Sequence, residues 1–438
     1  MRRREPPALE QRPDGKEAAG DSLSVLTLLL FFPELLSMRM SLFAMSIGAF
    51  GIGTAEFVIM GILPQVAASS GVSLAEAGLA VSAYAIGVVL GAPLLTVATT
   101  RVPRKPLLIA LMAWFAVANL VTALAPDFGT LLASRFFAGL PHGAFFGAAA
   151  VVGASLVSYE RRARAISGIM SGLTVATIVG VPVSALLIGQ FSWRWIFAAV
   201  AALGVVAAAA IWATVPDTRG VIVPTKASDE IRAIRSKRVL LPLVTGAVGF
   251  GGMFAAYTYL TPILEEVTGL GALAIAITLA VFGLGLTAGN IVGGHVADRA
   301  PIQGLFASFT TIATVLLMMY FTMSNPVLAI AGVFLMALSS SLVGPVMQRL
   351  LLDGAHAAPS LASSMHHAAF NLANANGAWL GGLALSAGLS LTAPLLVGVG
   401  LALAGLALSV PLARAHAEVE PEVMVPSHMT TAELARAS

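Results

Sequence analysis

The chain has 438 residues, 58% of them hydrophobic and 10% charged, with a formal net charge of +3 and a mean hydropathy of +0.91. Soluble domains carry roughly 25% charge, so this composition excludes a soluble globular protein and specifies an integral membrane protein. The basic residues form no cluster on a soluble face, which argues against nucleic acid as a partner, and the absence of cysteine removes disulfides and thiolate metal sites.

Residues 1–37 open with Arg2, Arg3 and Arg4 and hold a short apolar stretch, Leu23–Phe32, stopped by Pro33. No small-residue cleavage site follows, so the segment reads as a disordered cytoplasmic tail, or as the result of a start codon placed too early, with Met38 or Met40 as the true start. Beyond it, apolar runs long enough to cross a bilayer, about 20 residues at ~1.5 Å each, recur along the chain. They cover 41–67, 75–98, 106–125, 129–157, 163–189, 194–215, 240–264, 272–297, 303–323, 326–349, 360–388 and 391–413. Runs of that length are helices, and the fold class is an all-α membrane protein of twelve transmembrane helices. The polar stretch from residue 414 to 438 reads as a second disordered cytoplasmic tail.

Glu56 interrupts the first run, and an ionisable group inside a membrane span costs several kcal/mol unless it has a partner or a task. Pro64 marks the outer end of that run and Asp127 the outer start of the fourth. Glu56 and Arg135 each lie about eight residues from these marks, hence both roughly 12 Å deep at ~1.5 Å per residue. Equal depth allows the two to pair across one cavity. A carboxylate under the opposing influences of desolvation and a nearby cation can exchange a proton when its surroundings change. Arg135, Gly139, His142 and Phe146 follow helical spacing, so His142 shares the Arg135 face, and histidine is the residue type whose ordinary titration range lies near neutral pH.

Basic residues fall in alternate loops: Arg101, Arg104 and Lys105; then Arg161, Arg162 and Arg164; then Lys226, Arg232, Arg235, Lys237 and Arg238. The positive-inside rule makes these loops, and both termini, cytoplasmic. The segment 216–239 is the longest polar loop and divides the spanners into an N-terminal half, 38–215, and a C-terminal half, 240–413. Sliding the sequence on itself by 198 residues superposes Tyr84 on Phe282, Gly87 on Gly285, Gly91 on Gly289, Arg101 on Arg299 and Pro103 on Pro301. Two pseudo-symmetric six-helix halves follow. The four-residue glycine spacings, Gly87/Gly91, Gly139/Gly143/Gly147 and Gly285/Gly289/Gly293, mark helix faces that approach closely in lipid.

The second half offers Asn290, Gln348, His366, His367, Asn371 and Asn374, with Glu265 and Glu266 solvated near an outer helix end. Asn371 and Asn374 share a helix face and, with Phe146 and Tyr257, are candidates to line a solute site. The only Gly-Lys pair is Gly15-Lys16, followed by Glu17, so no phosphate loop is present. No nucleophile-base pair or metal-ligand cluster emerges, His366 and His367 being adjacent and so pointing apart. The sequence thus gives no enzyme, cofactor or metal.

The motifs "GTAEFVIMGILPQVA" (53–67), "SAYAIGVVLGAPLLT" (82–96) with "TRVPRKPLL" (100–108), "SRFFAGLPHGAFFG" (134–147), "GLTVATIVGVPVSALLIGQFSWRWIF" (172–197) and "NLANANGAWLGG" (371–382), taken in order, resemble the major facilitator superfamily. Within it they resemble the twelve-spanner drug:proton antiporter family, the branch with arabinose-efflux permease and chloramphenicol-resistance proteins. The resemblance implies gating roles for Arg101 and Arg104 in the first cytoplasmic loop and for Gly294, Asp298 and Arg299 in its second copy. It implies a kink at Gly180 and Pro182, where the family has an uninterrupted Gly-Pro, and proton transfer at Arg135. The first loop copy lacks the family's aspartate and both glycines.

The combined reading is a proton-coupled transporter of the cell membrane, functional as a monomer, that exports a small organic solute, a drug such as chloramphenicol or a sugar, by alternating access. Glu56, Arg135 and His142 carry the coupling. A proton-coupled importer or a uniporter on the same fold is the alternative.

Overall fold

The computed structural model describes residues 17–158, 161–188, 190–217, 236–354 and 359–417, with side chains from residue 38 onward except those of residues 359 and 360. Among the described residues the protein consists of twelve long helices, a short helix at Leu63–Ser70 and short connecting turns, with no strand. The long helices are α1 (Met38–Gly61), α2 (Leu74–Ala98), α3 (Arg104–Leu124), α4 (Phe128–Ser155), α5 (Arg162–Leu187), α6 (Trp193–Thr214), α7 (Lys237–Thr258), α8 (Ala272–Arg299), α9 (Pro301–Thr322), α10 (Pro326–Gly354), α11 (Pro359–Ser386) and α12 (Ala393–Ala417). Eleven are long and apolar enough to cross a membrane. The remaining one, α11, has the length, but its histidines and asparagines dilute its apolar character because it carries much of the polar chemistry of the second half.

Two boundaries of the expected tails depart from the sequence expectation. Residues 17–37, expected as tail, are helical and continuous with α1; the apolar run Leu23–Phe32 lies within that extension. The last helix continues past residue 413 to Ala417. Of the expected 216–239 linker, residues 218–235, which include Lys226, Arg232 and Arg235, lie outside the described residues, as do 1–16 and 418–438.

Short polar caps start the helices at the end of the bundle remote from the linker, here called the distal end. Ser73 and Glu76 form a reciprocal capping box at α2, the Glu76 N–H donating to Ser73 Oγ at 3.2 Å and the Ser73 N–H to Glu76 Oε2 at 2.8 Å. At α4 the Thr130 N–H donates to Asp127 Oδ1 at 2.8 Å, and this bond with that from the Thr130 hydroxyl holds the Asp127 carboxyl below the usual carboxylate range. Asn325 Oδ1 accepts from the Val327 and Leu328 N–H groups at α10.

The internal repeat reappears in the packing. A Cβ on Gly87 or Gly91 of α2 would meet the carbonyls of Phe136 and Leu140 in α4, and one on Gly285 or Gly289 of α8 would meet those of Phe334 and Leu338 in α10. Phe334 and Leu338 are Phe136 and Leu140 displaced by the same 198 residues. The pairs α2/α4 and α8/α10 are therefore equivalent close crossings, each permitted by the missing side chain. Pro64 and Pro262 obey the offset too. Each removes the N–H that would bond four residues back, and the helix breaks beside each, at Ile62 and at Tyr259.

The two halves meet along α2/α11 and α5/α8. Contact along α2/α11 runs from Ser82, whose hydroxyl donates to the Ala375 carbonyl at 3.1 Å, to Ser364 near the linker end, whose hydroxyl donates to the Ala92 carbonyl at 2.8 Å. By contrast, α8 packs chiefly on the distal part of α5, residues 176–187, and little on its linker-side part.

Candidate functional site

Glu56 sits on α1 where the two halves face each other, 6% exposed. Across the interface, the amides of Asn371 and Asn374 on α11 flank its carboxylate. The next residue, Phe57, also faces the second half: its ring lies 6.3 Å from that of Phe254, nearly parallel, and 6.1 Å edge-on from that of Tyr257. Tyr257 in turn stacks on Phe282 of α8 at 3.8 Å.

Arg135 on α4 is fully buried. Its guanidinium carbon lies 4.4 Å above the centroid of the Tyr84 ring and 5.3 Å from that of Phe197, and Nε donates a long bond, 3.5 Å, to the Ala80 carbonyl. Nη1 and Nη2 have no hydrogen-bond partner among the described residues. Arg135 acts on Glu56 through their Coulomb interaction, yet no direct ion pair between them is present among the described ion pairs. The pairing anticipated from equal depth is thus replaced by a cation held against two aromatic faces, where a planar, weakly hydrated guanidinium is well accommodated.

From Tyr84 the contacts continue toward the second half. Tyr84 Oη and His142 Nδ1 are 3.1 Å apart, a hydrogen bond whose donor is set by the imidazole tautomer. His142 lies against Phe146 at 5.1 Å and against His367 of α11 at 5.5 Å, and Phe146 and His367 stack at 4.8 Å with planes 7° apart. The adjacent His366 turns the other way, onto Phe370 at 4.4 Å.

Several polar atoms here are buried without a bond. Asn371 Nδ2 donates to the His367 carbonyl at 3.1 Å, but Asn371 Oδ1, both amide atoms of Asn374 and Tyr257 Oη make no well-formed hydrogen bond among the described residues, although both amides stand beside the Glu56 carboxylate. Most buried polar groups in folded proteins are satisfied. Unsatisfied donors and acceptors beside an acid and a guanidinium form an arrangement able to bond a solute.

The remaining sequence candidates lie elsewhere. Arg101 is exposed in the turn before α3, and Arg104, half-buried, begins that helix. Gly180 closes a π-helical turn, Ala176–Gly180, in which the Val181 N–H reaches the Ala176 carbonyl, and buried Pro182 follows at once. A Cβ at Gly180 would stand 2.6 Å from Thr54 Oγ1 of α1. Open space adjoins Gly294. Asp298 lies 3.6 Å from Arg349 of α10, which also binds Asp353 at 2.8 Å, all three exposed, while Arg299 ends α8 exposed.

Tyr84, Phe197, Phe57, Phe254, Phe282 and His367 form walls of this site that were not singled out as site residues from sequence. For Tyr84 a signal was present: it stands one turn before Gly87 on the face that the glycine stripe turns toward α4.

Comparison with known proteins agrees with this architecture. The chain is 38% identical over 368 residues to the inner membrane transport protein YdhP of Escherichia coli strain K12, covering 84% of this chain and 94% of that one. It is 33% identical over 344 residues to a chloramphenicol resistance protein of Streptomyces lividans, covering 78% and 88%. The structure matches a bacterial homologue of the human lysosomal transporter Spinster with a TM-score of 0.67 at 16% identity, covering 86% of this chain and 97% of that one. A family profile matches residues 45–375, and with twelve helices in two equivalent halves around a buried polar centre, the chain belongs to the major facilitator superfamily.

Proposed function

We propose that the protein is a proton-coupled secondary transporter that exports a small organic solute, and that Glu56 is its proton carrier. The observation that carries this reading is Glu56 itself, a carboxylate buried between the halves, facing the Asn371 and Asn374 amides and a guanidinium whose two Nη atoms have no hydrogen-bond partner among the described residues. Rocking one half against the other changes which of these groups Glu56 meets, and so its hold on a proton. Arg135 offers Nη donors to an ionised Glu56 and leaves them to solute when Glu56 is neutral. Inward movement of one charge supplies ~2.3 kcal/mol per 100 mV of membrane potential.

In this reading the linker end, with Arg101, Lys105, Arg161 and Arg162, faces the cytoplasm, the membrane is the inner membrane, and one chain suffices. The name of the Streptomyces relative supports amphenicol-like drugs as the first solutes to try, and "Putative transporter AraJ" of Escherichia coli, 31% identical over 354 residues, adds sugars. Tyr257, Phe146, Asn371 and Asn374 line the solute site.

The test is resistance of expressing cells to a panel of toxic compounds. For any compound so identified, uptake into everted vesicles follows, with and without a protonophore. Uptake abolished by the protonophore supports the proposal. Uptake that ignores it makes the protein a uniporter, and accumulation by right-side-out vesicles makes it an importer.

A further inference from the structure

We infer that the Tyr259 ring is the plug that seals the distal end between the halves, and that three glycines are the socket it occupies. Tyr259 stands at the break in the helix that follows α7, between Thr258 and Leu260, and is fully buried. Its ring lies where three side chains are missing. A Cβ on Gly78 of α2 would collide with Tyr259 Oη, one on Gly382 of α11 would stand 2.7 Å from the same oxygen, and one on Gly381 would stand 2.8 Å from the ring at Cε2.

The ring spans both halves. Gly78 belongs to the first and Gly381 and Gly382 to the second, and the Gly382 position also faces the Ala75 carbonyl of α2 at 3.3 Å. Gly78 and Gly382 are each four residues from the distal ends of their helices, Leu74 and Ser386, about 6 Å inside at ~1.5 Å per residue. Within its own half the phenol is anchored, Oη donating to the Ala378 carbonyl at 2.8 Å. Close by, the Thr261 hydroxyl donates to the Gly61 carbonyl at 3.4 Å, again from half to half. Opening the distal end must pull the ring out of the Gly78 side of its socket, because the anchor and the other two glycines move with it.

An aromatic ring closes a gap between backbones with large apolar area at little cost in side-chain entropy, and a socket of glycines accepts it without displacing any side chain. The occupancy of this socket therefore sets the balance between the distal-closed and distal-open states.

The inference rests on alternating access but not on the proton or the solute, so its failure leaves the coupling proposal intact. The chain has no cysteine, which permits a single reporter, Asn374→Cys, on α11 eight residues deeper than Gly382. In intact cells the reporter is labelled by a membrane-impermeant methanethiosulfonate added outside, with no solute present. Tyr259→Ala and Gly78→Ala are expected to speed labelling by about tenfold or more, and Tyr259→Phe, which keeps the ring, by no more than about twofold. Where Gly78→Ala does not reach the membrane, Gly382→Ala presses on the same Oη from the other half and replaces it. Parental labelling rates in the membrane-inserted Tyr259→Ala and glycine variants overturn the inference. So does Tyr259→Phe labelling as fast as Tyr259→Ala, since the hydrogen bond rather than the ring would then be the seal.

Discussion

The Arg135 guanidinium lies 4.4 Å above the centre of the Tyr84 ring, inside a membrane-embedded core and with two nitrogens unbonded among the described residues. The ring holds the cation without consuming its hydrogen-bond donors, which remain for a carboxylate or a solute. Tyr84→Phe keeps the face and gives up only the bond to His142. Tyr84→Ala removes the face and leaves a buried charge with less support. Thermal unfolding in detergent is expected to show Tyr84→Ala costing ~3–5 kcal/mol more than Tyr84→Phe, mostly from the cavity left by a fully buried ring, with only the cation–π share, ~1–2 kcal/mol, vanishing in the Arg135→Met background.

The equivalence of α2/α4 and α8/α10 predicts matched responses. Gly91→Ala and Gly289→Ala each push a methyl group against backbone, at Leu140 and Leu338, which yields less than a side chain does. Each is expected to cost ~1–3 kcal/mol or more. Gly294→Ala and Gly168→Ala, inside helices with open space around them, serve as controls with melting midpoints unchanged or slightly raised, alanine being the better helix former by ~0.5–1 kcal/mol.

Helix α5 approaches α1 at Gly180, where an added methyl would sit 2.6 Å from Thr54 Oγ1. Gly180→Ala is expected to slow maximal transport roughly tenfold, a barrier increase of ~1.4 kcal/mol, with solute affinity nearly preserved. Adding Thr54→Ala removes the colliding oxygen and restores the rate. A loss of affinity without loss of rate would place Gly180 in the binding site instead.

At Asp127 the sign of a pH effect is fixed by its cap. Bonds from Thr130 favour the ionised carboxylate in the folded state, so the cap stabilises α4 above the unfolded carboxylate range near ~3.9 and fades as pH falls through the lower folded value. Asp127→Asn, which retains a capping oxygen, is expected to flatten the decline of the melting midpoint below about pH 4, read by thermal unfolding across pH.

Much of this was legible in the residue order. Runs of apolar residues gave the spanners, the 198-residue offset gave the halves, and the glycine stripes gave the closest crossings, because each depends on local length or spacing. The shared depth of Glu56 and Arg135 placed both at one level, but depth carries no direction. That Arg135 turns onto Tyr84 and Phe197 follows from how α2, α4 and α6 pack, which spacing within one helix does not encode. His367 likewise became a neighbour of His142 only through the contact of α4 with α11. The π-helical turn at Ala176–Gly180 leaves no mark in an apolar run, whereas the break at Ile62 follows from Pro64.

The most direct test is made on Glu56. In everted vesicles carrying the solute to which the protein confers resistance, wild-type and Glu56→Gln are compared for uphill accumulation under an imposed pH gradient and for exchange of labelled against unlabelled solute at equilibrium. The account predicts that Glu56→Gln retains exchange and loses accumulation. Accumulation by Glu56→Gln to the wild-type level would contradict it.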